Sequence, residues 1–269
     1  MVGVMVPSGR VVVPPTFIRL AAHPLRWRLL TELAESDYRV RDLVSRIDQP
    51  QNLLSYHLRR LRDGGLVSAT RSTSDGRDSY YHLELDRCAV ALVAGGTALH
   101  PALGRDPAAR AVPVDQWQSP SVAVLFVCTG NGARSPIAEA LLRHHTAGRV
   151  TVASAGTRPR PHLHANAVRV LRDAFGIDIS RQRPQHLDAV ADRTFDHVIT
   201  LCDKAREACP ELAHHPRRAH WSLPDPAMAG DADHASYPAF QRTATEIDTR
   251  VRHLLSVLTA TNNEKEVVP

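Results

Sequence analysis

The stretch "VLFVCTGNGARSPIAE" (124–139) sets Cys128 at the end of an apolar run and Arg134 shortly after it. Only small or polar residues lie between them: Thr129, Gly130, Asn131, Gly132 and Ala133. "SVAVLFV" (121–127) is continuous and β-branched, which predicts a buried parallel strand. Ser135 is expected to cap a following helix, with Pro136 in its first turn. Ile137, Ala138, Leu141 and Leu142 supply that helix's apolar face. A loop between a strand's carboxyl end and a helix's amino end turns backbone N–H groups and the helix dipole toward one point. That is a cradle for a tetrahedral oxyanion. Arg134 adds a planar fork for two anion oxygens. Gly130 and Gly132 are expected to supply unusual backbone angles and close approach. The same field favours a thiolate at Cys128, placed to attack the central atom of the anion that residues 129–135 hold. The Ser135 hydroxyl lies within reach of that sulfur as it leaves.

Other reactive groups stand further along. "TLCDKAREACP" carries Cys202 at a predicted strand end and Cys209 seven residues on. Seven residues of helix separate two Cα atoms by about 10 Å, and a disulfide tolerates no more than about 7 Å. A Cys202–Cys209 bond therefore requires residues 203–209 to loop out or unwind, and Cys209-Pro210 marks a natural break. In "HWSLPDPAMAG", Asp225-Pro226 is either an ordinary turn pair or a proton donor to a leaving oxygen.

These groups need elements to position them, and the chain has 269 residues, enough for two domains. Hydrophobic content of 43% and charged content of 23% are those of a globular protein. No apolar run approaches membrane-spanning length, and the first residues carry no secretion pattern, so a cytoplasmic address is expected. Four cysteines do not suggest a disulfide scaffold. Net charge is +5, with 13 arginines against 10 acidic residues in 1–95. Charge alone does not establish nucleic-acid binding. Periodicity lapses over 95–120, which has four prolines and three glycines and reads as a linker. The expected division is 16–94, a linker at 95–120, and 121–262.

In the first part, "PLRWRLLTELAES" places Leu25, Leu29, Leu30 and Leu33 on one helical face. "RVRDLVSRI" predicts a shorter helix. A turn leads into "NLLSYHLRRLRDGG", with Leu54, Leu58 and Leu61 inward and Gly64-Gly65 at the end. Its outer face carries Gln51, Asn52, Ser55, Tyr56, Arg59 and Arg60. A hairpin pattern around Asp75-Gly76 follows, bearing Arg71 and Arg77. Helix, turn, polar-faced helix and basic hairpin is the order of a winged helix-turn-helix. Amide and hydroxyl groups at the start of the second helix can reach base edges, while the arginines meet phosphates.

This half resembles the ArsR-type family of dimeric regulators over about 16–90, chiefly through "QNLLSYHLRRLRDGGLVSATR" and "GRDSYYHL". The resemblance implies a homodimer on a palindromic operator. Where many members carry a Cys-x-Cys pair for arsenite, this chain has Arg39-Val40-Arg41, which offers no soft ligand. Cys88 is this half's one thiol and reads as a small apolar residue. No metal site is expected.

The second half resembles the low-molecular-weight protein tyrosine phosphatase fold, which includes thioredoxin-coupled arsenate reductases. "CTGNGARSPIAEALL", "SAGT" (154–157), "GIDIS" (176–180) and "DHVITLCD" (196–203) carry the likeness. It implies an α/β domain with a four-stranded parallel sheet and Asp225 as general acid. It also implies, for Cys202 and Cys209, a relay in which Cys128 attacks arsenate, Cys202 releases arsenite, and Cys209 takes over the disulfide. No bound cofactor is expected; the reductant would be thioredoxin or a low-molecular-weight thiol. "RSP" after the loop is phosphatase-like, whereas Ala227-Met228-Ala229 stand where phosphatases carry tyrosines. The resulting expectation is an arsenate reductase fused to a DNA-binding regulator. Its rivals are a DNA-tethered phosphatase and a regulator with an oxyanion- or redox-sensing second domain.

Overall fold

A computed structural model describes residues 14–73, 76–100, 122–209, 217–229 and 233–266. The chain starts with α1 (Thr16–Ala21) and α2 (Pro24–Glu35), where Pro24 takes a first-turn position and His23 Nδ1 accepts from the Leu25 amide. A short β1 (Tyr38–Arg39) precedes α3 (Val40–Ile47). Arg39 thus lies just outside the helix that the sequence pattern gave it, because its backbone and guanidinium both bond Asp42 and cap the first turn.

Helix α4 (Gln51–Asp63) buries Leu54, Leu58 and Leu61 completely. His57 shares that inner face and stacks on His23. Burial, then His23 and Arg26, push the His57 imidazole below its ordinary value. Gly64 ends the helix against Leu20: a Cβ there would stand 2.2 Å from Leu20 Cδ1, so that side chain would have to shift. Strands β2 (Val67–Arg71) and β3 (Ser79–Leu83) form the wing, with β3 central in the order β1-β3-β2. Asp75 of the wing turn lies outside the described residues. Helix α5 (Leu85–Leu99) runs past Gly95, so the first residues of the predicted linker are helical. The stretch 101–121 lies outside the described residues.

The second unit is a four-stranded sheet in the order β5-β4-β6-β7, every pairing parallel. Its elements are β4 (Ala123–Cys128), α6 (Arg134–His145), β5 (Thr151–Gly156), α7 (Ala165–Phe175) and β6 (His197–Thr200). They continue as α8 (Asp203–Ala208), β7 (Arg217–His220) and the long α9 (Asp233–Glu266). Central β4 is fully buried from Val124 to Val127, which explains its unbroken apolar run. Because all strands run one way, their carboxyl ends share one edge, where ligands of open α/β sheets bind.

The two units have separate hydrophobic clusters. What joins them is polar. The Asp37 amide bonds the His220 carbonyl at the end of β7, and the His220 amide bonds Ser36 Oγ. The buried Asp37 carboxylate accepts from Arg250 Nη1 at 2.9 Å and the Ser222 amide at 2.7 Å, and faces His82 Nδ1 at 2.8 Å. Burial alone raises such a carboxyl, but Arg250 and His82 outweigh it and hold Asp37 well below the usual carboxylate range. Asp86 of α5 pairs with His253 of α9. Among the described residues no helix is long and apolar enough to cross a membrane.

Candidate active site

Cys128 ends β4, and the loop after it folds back with its carbonyls turned outward. The carbonyls of Cys128, Thr129, Gly130 and Gly132 accept from the amides of Thr157, Arg158, Arg160 and His164. In a trans peptide the next residue's N–H points opposite to that carbonyl. The amides of Thr129, Gly130, Asn131 and Ala133 therefore face the inside of the loop. The Asn131 amide reaches Cys128 Sγ at 3.2 Å. A ring of inward donors around a buried sulfur is a site for an oxyanion beside a nucleophile.

Asn131 organises this ring. It is the loop residue in the left-handed region, with φ 44°. Its Nδ2 bonds Ser135 Oγ and Ser154 Oγ, both at 2.9 Å, and its Oδ1 accepts from the Gln185 amide at 2.8 Å. This corrects the expectation that Gly130 and Gly132 supply the unusual angles, since neither has positive φ. Their use is close approach: a Cβ on Gly130 would lie 3.2 Å from Arg160 Cγ, and one on Gly132 3.4 Å from the His162 carbonyl. Ser135 is corrected too. The cap of α6 is Ala133, and Ser135 sits inside the first turn with its hydroxyl 3.0 Å from Cys128 Sγ. The thiol's need for a partner has won over the helix end's.

Arg134 is buried, and its Nη1 donates to the Leu223 carbonyl and its Nη2 to Asp225 Oδ2, each at 2.9 Å. Its buried Nε has no hydrogen-bond partner. Asp225 is half-exposed at the mouth, its Oδ1 held by the Ala227 amide. Loop, arginine and Asp225 are thus brought together from three distant stretches.

Cys202 joins them. Strand β6 runs beside β4, and the Leu201 amide bonds the Val127 carbonyl. That register sets Cys202 Sγ 3.2 Å from Thr129 Oγ1. Cys202 precedes α8 and Cys209 follows it, both buried thiols. Burial pushes the Cys209 thiol up, partly offset by Arg218. Pro210 lies outside the described residues.

On the first unit, Gln51, Asn52, Tyr56, Arg59, Arg60, Arg71 and Arg77 are all exposed, and Ser55 is partly so. Arg39, in the place of a soft ligand, is engaged with Asp42, Asp78 and Glu207. Cys88 is buried, and burial with nearby Glu84 pushes its thiol up to about 11.

The sequence pattern of the low molecular weight phosphotyrosine protein phosphatases matches residues 123–266. The chain belongs to that family. This phosphatase-family chain also carries a helix-turn-helix of the arsR family of bacterial regulatory proteins at residues 23–69. It is similar to the arsenate reductase of Bacillus licheniformis, 39% identical over 129 residues, 48% of this chain and 91% of the relative. The arsenate reductase of Bacillus subtilis is 36% identical with the same coverage. Among solved structures, an arsenate reductase in the phosphate-binding state is 30% identical with a TM-score of 0.44, covering 50% of this chain and 97% of that one.

Proposed function

We propose that this chain is a thiol-dependent arsenate reductase fused to a DNA-binding regulator of an arsenic-resistance system. One observation carries the enzymatic half: Cys202 Sγ lies 3.2 Å from Thr129 Oγ1, on the rim of the loop that begins at Cys128. Hydrolysis of a phosphate ester needs Cys128, Arg134 and Asp225 only. A second thiol there, with a third at the far end of a short helix, suits a redox cycle. The arsenate reductases that the second half resembles support the same choice.

The chemistry follows from these positions. The Cys128 thiolate attacks arsenic while residues 129–135 hold the oxyanion oxygens. A sulfur–arsenic bond forms, an arsenic–oxygen bond breaks, and the oxygen leaves as water with a proton from Asp225. Cys202 then attacks Cys128 Sγ. The new disulfide forms as the sulfur–arsenic bond breaks, and its electron pair stays on arsenic, which leaves as arsenite. Cys209 attacks Cys202 Sγ, forming Cys202–Cys209 and returning the Cys128 thiolate. An external dithiol of the thioredoxin kind, or a low-molecular-weight thiol, supplies the two electrons that reset the pair. Burial pushes the Cys209 thiol up, and its sulfur reaches Cys202 only once α8 opens.

The regulator half presents α4 to duplex DNA. Gln51, Asn52, Ser55 and Tyr56 face base edges, and Arg59, Arg60, Arg71 and Arg77 face phosphates. Exposed Ile18 on α1 and Leu92 and Leu99 on α5 supply apolar surface through which two copies pair.

Arsenate-dependent oxidation of thioredoxin, run beside hydrolysis of an aryl phosphate, tests the assignment. Cys202→Ser and Cys209→Ser each stop arsenate turnover while aryl phosphate cleavage survives. Loss of both activities together, or of neither, refutes the relay.

A further inference from the structure

We propose that the Cys202–Cys209 pair also sets DNA affinity: forming its disulfide releases the wing of the DNA-binding domain and weakens duplex binding. The proposal rests on the redox reading of these cysteines given above. It starts from where the short helix between them is tied. Asp203 Oδ2 accepts from both the amide and the hydroxyl of Thr73, in the turn of the wing, at 2.6 and 3.1 Å. Arg206 Nη2 donates to Asp42 Oδ2 of α3 at 3.1 Å, and its guanidinium lies 5.2 Å from the Tyr80 ring centroid. Glu207 faces Arg39 of β1 at 3.6 Å. Three charged side chains of α8 therefore grip the wing, its central strand and the first helix of the helix-turn-helix.

The Arg206 and Glu207 part of that grip and a Cys202–Cys209 bond exclude each other. Cys202 caps one end of α8 and Cys209 the other. The intact segment holds their Cα atoms about 10 Å apart, beyond the roughly 7 Å a disulfide permits. Closing the bond requires the turn bearing Arg206 and Glu207 to unwind. Space for this exists beside it, in a cavity of about 360 Å³ lined by Tyr38, Arg206, Cys209, Arg218 and His220. The remaining ties, Asp37–Arg250, Ser36–His220 and Asp86–His253, lie on β7 and α9. They keep the two units attached while Arg206 and Glu207 let go of α3, β1 and the central wing strand β3.

The direction follows from exposure. With α8 clamped on the wing turn at Thr73, Gln51, Asn52, Tyr56, Arg59, Arg71 and Arg77 are all open to solvent. The reduced chain is thus the form preorganised for DNA. After oxidation the wing must be ordered again at the moment of binding, and affinity falls. Arsenate is the oxidant in this cycle, so turnover itself reports its presence to the regulator. Arg39, standing where a soft ligand would be, is committed to ion pairs, one of them with α8 itself.

The test uses the full chain and a fluorescent duplex selected from a random-sequence pool by the reduced protein. Binding is followed by anisotropy, and the disulfide state by peptide mass. One sample is oxidised with arsenate without reductant. A second, Cys128→Ser, is oxidised with diamide, which closes the Cys202–Cys209 bond without arsenic chemistry. The expected result is at least about fivefold weaker binding in each oxidised sample, reversed by dithiothreitol. A confirmed Cys202–Cys209 bond with unchanged affinity overturns the switch and leaves the reductase standing. Weakening by diamide but no oxidation by arsenate sinks the reductase assignment and leaves the switch. If neither route forms the bond, both fall. Arg206→Ala tests the clamp itself: its reduced form should bind closer to the oxidised level, with a smaller redox response. Wild-type affinity together with the full response overturns the proposal.

Discussion

Replacing Asp37 by asparagine keeps the shape of a buried side chain and removes its charge. The carboxylate serves Arg250 at 2.9 Å, the Ser222 amide at 2.7 Å and His82 at 2.8 Å. In the Asp37→Asn chain, Arg250 remains 8% exposed with Glu246 as its other carboxylate, and Glu246 is partly in solvent. Removing one partner of a buried pair costs about 3–5 kcal/mol, and the surviving Glu246 contact argues for the lower end, about 3 kcal/mol. At a urea dependence of about 2.5 kcal/mol per M, the midpoint should fall by about 1.2 M. Trp221 is the reporter, since it is buried at this seam with the Arg250 guanidinium 5.9 Å from its ring. Adding Arg250→Met should recover part of the loss, because the orphaned guanidinium goes with it. An unchanged midpoint in Asp37→Asn, or strict additivity of the two substitutions, refutes this account of the seam. Acid gives the same test without mutation. Asp37 is held below the ordinary carboxylate value, so its contribution is complete above about pH 4 and is lost as pH falls through the lower folded value. The wild-type Trp221 transition should weaken in strong acid more steeply than that of Asp37→Asn.

Three further outcomes follow from the site. Cys128→Ser should abolish both arsenate reduction and aryl phosphate cleavage, measured side by side, because both begin at that sulfur. Asp225→Asn should slow turnover by about 10²-fold while arsenate still protects the loop from alkylation, since a proton donor is removed and the cradle is not. Arg59→Ala should weaken duplex binding evenly across sequences and reduce the slope of log affinity against log salt by about one, as read by titration at several salt concentrations.

The parts legible in the sequence are those whose logic is local. Leu54, Leu58 and Leu61 announce α4 by spacing, and the run into Cys128 announces β4 because a parallel strand is buried on both faces. Cys128 and Arg134 are close along the chain, so the loop could be read as one unit. Ser135 was misplaced as the cap of α6, while its other expected partner, the Cys128 sulfur, is the one it keeps; both roles ask for the same hydroxyl, and only the fold settles between them. Asn131 was named as a binding residue, but its structural part, from left-handed backbone to four partners, depends on Ser154 and Gln185 arriving from other elements. Cys202 reaches Thr129 through the β4–β6 register, which a linear pattern does not encode. The seam was the least legible. Asp37 reads as a loop aspartate after a helix, and Arg250 as one more arginine on an amphipathic helix. Nothing in either neighbourhood points to the other.

Strand β7 is the outermost of its sheet, and outer strands carry unpaired main-chain groups that recruit stray extended chains. Here the last residue of that strand is already occupied: His220 gives its carbonyl to Asp37 and its amide to Ser36. The first unit therefore supplies main-chain partners to the end of that margin, and the second unit taken alone would turn both His220 groups to water.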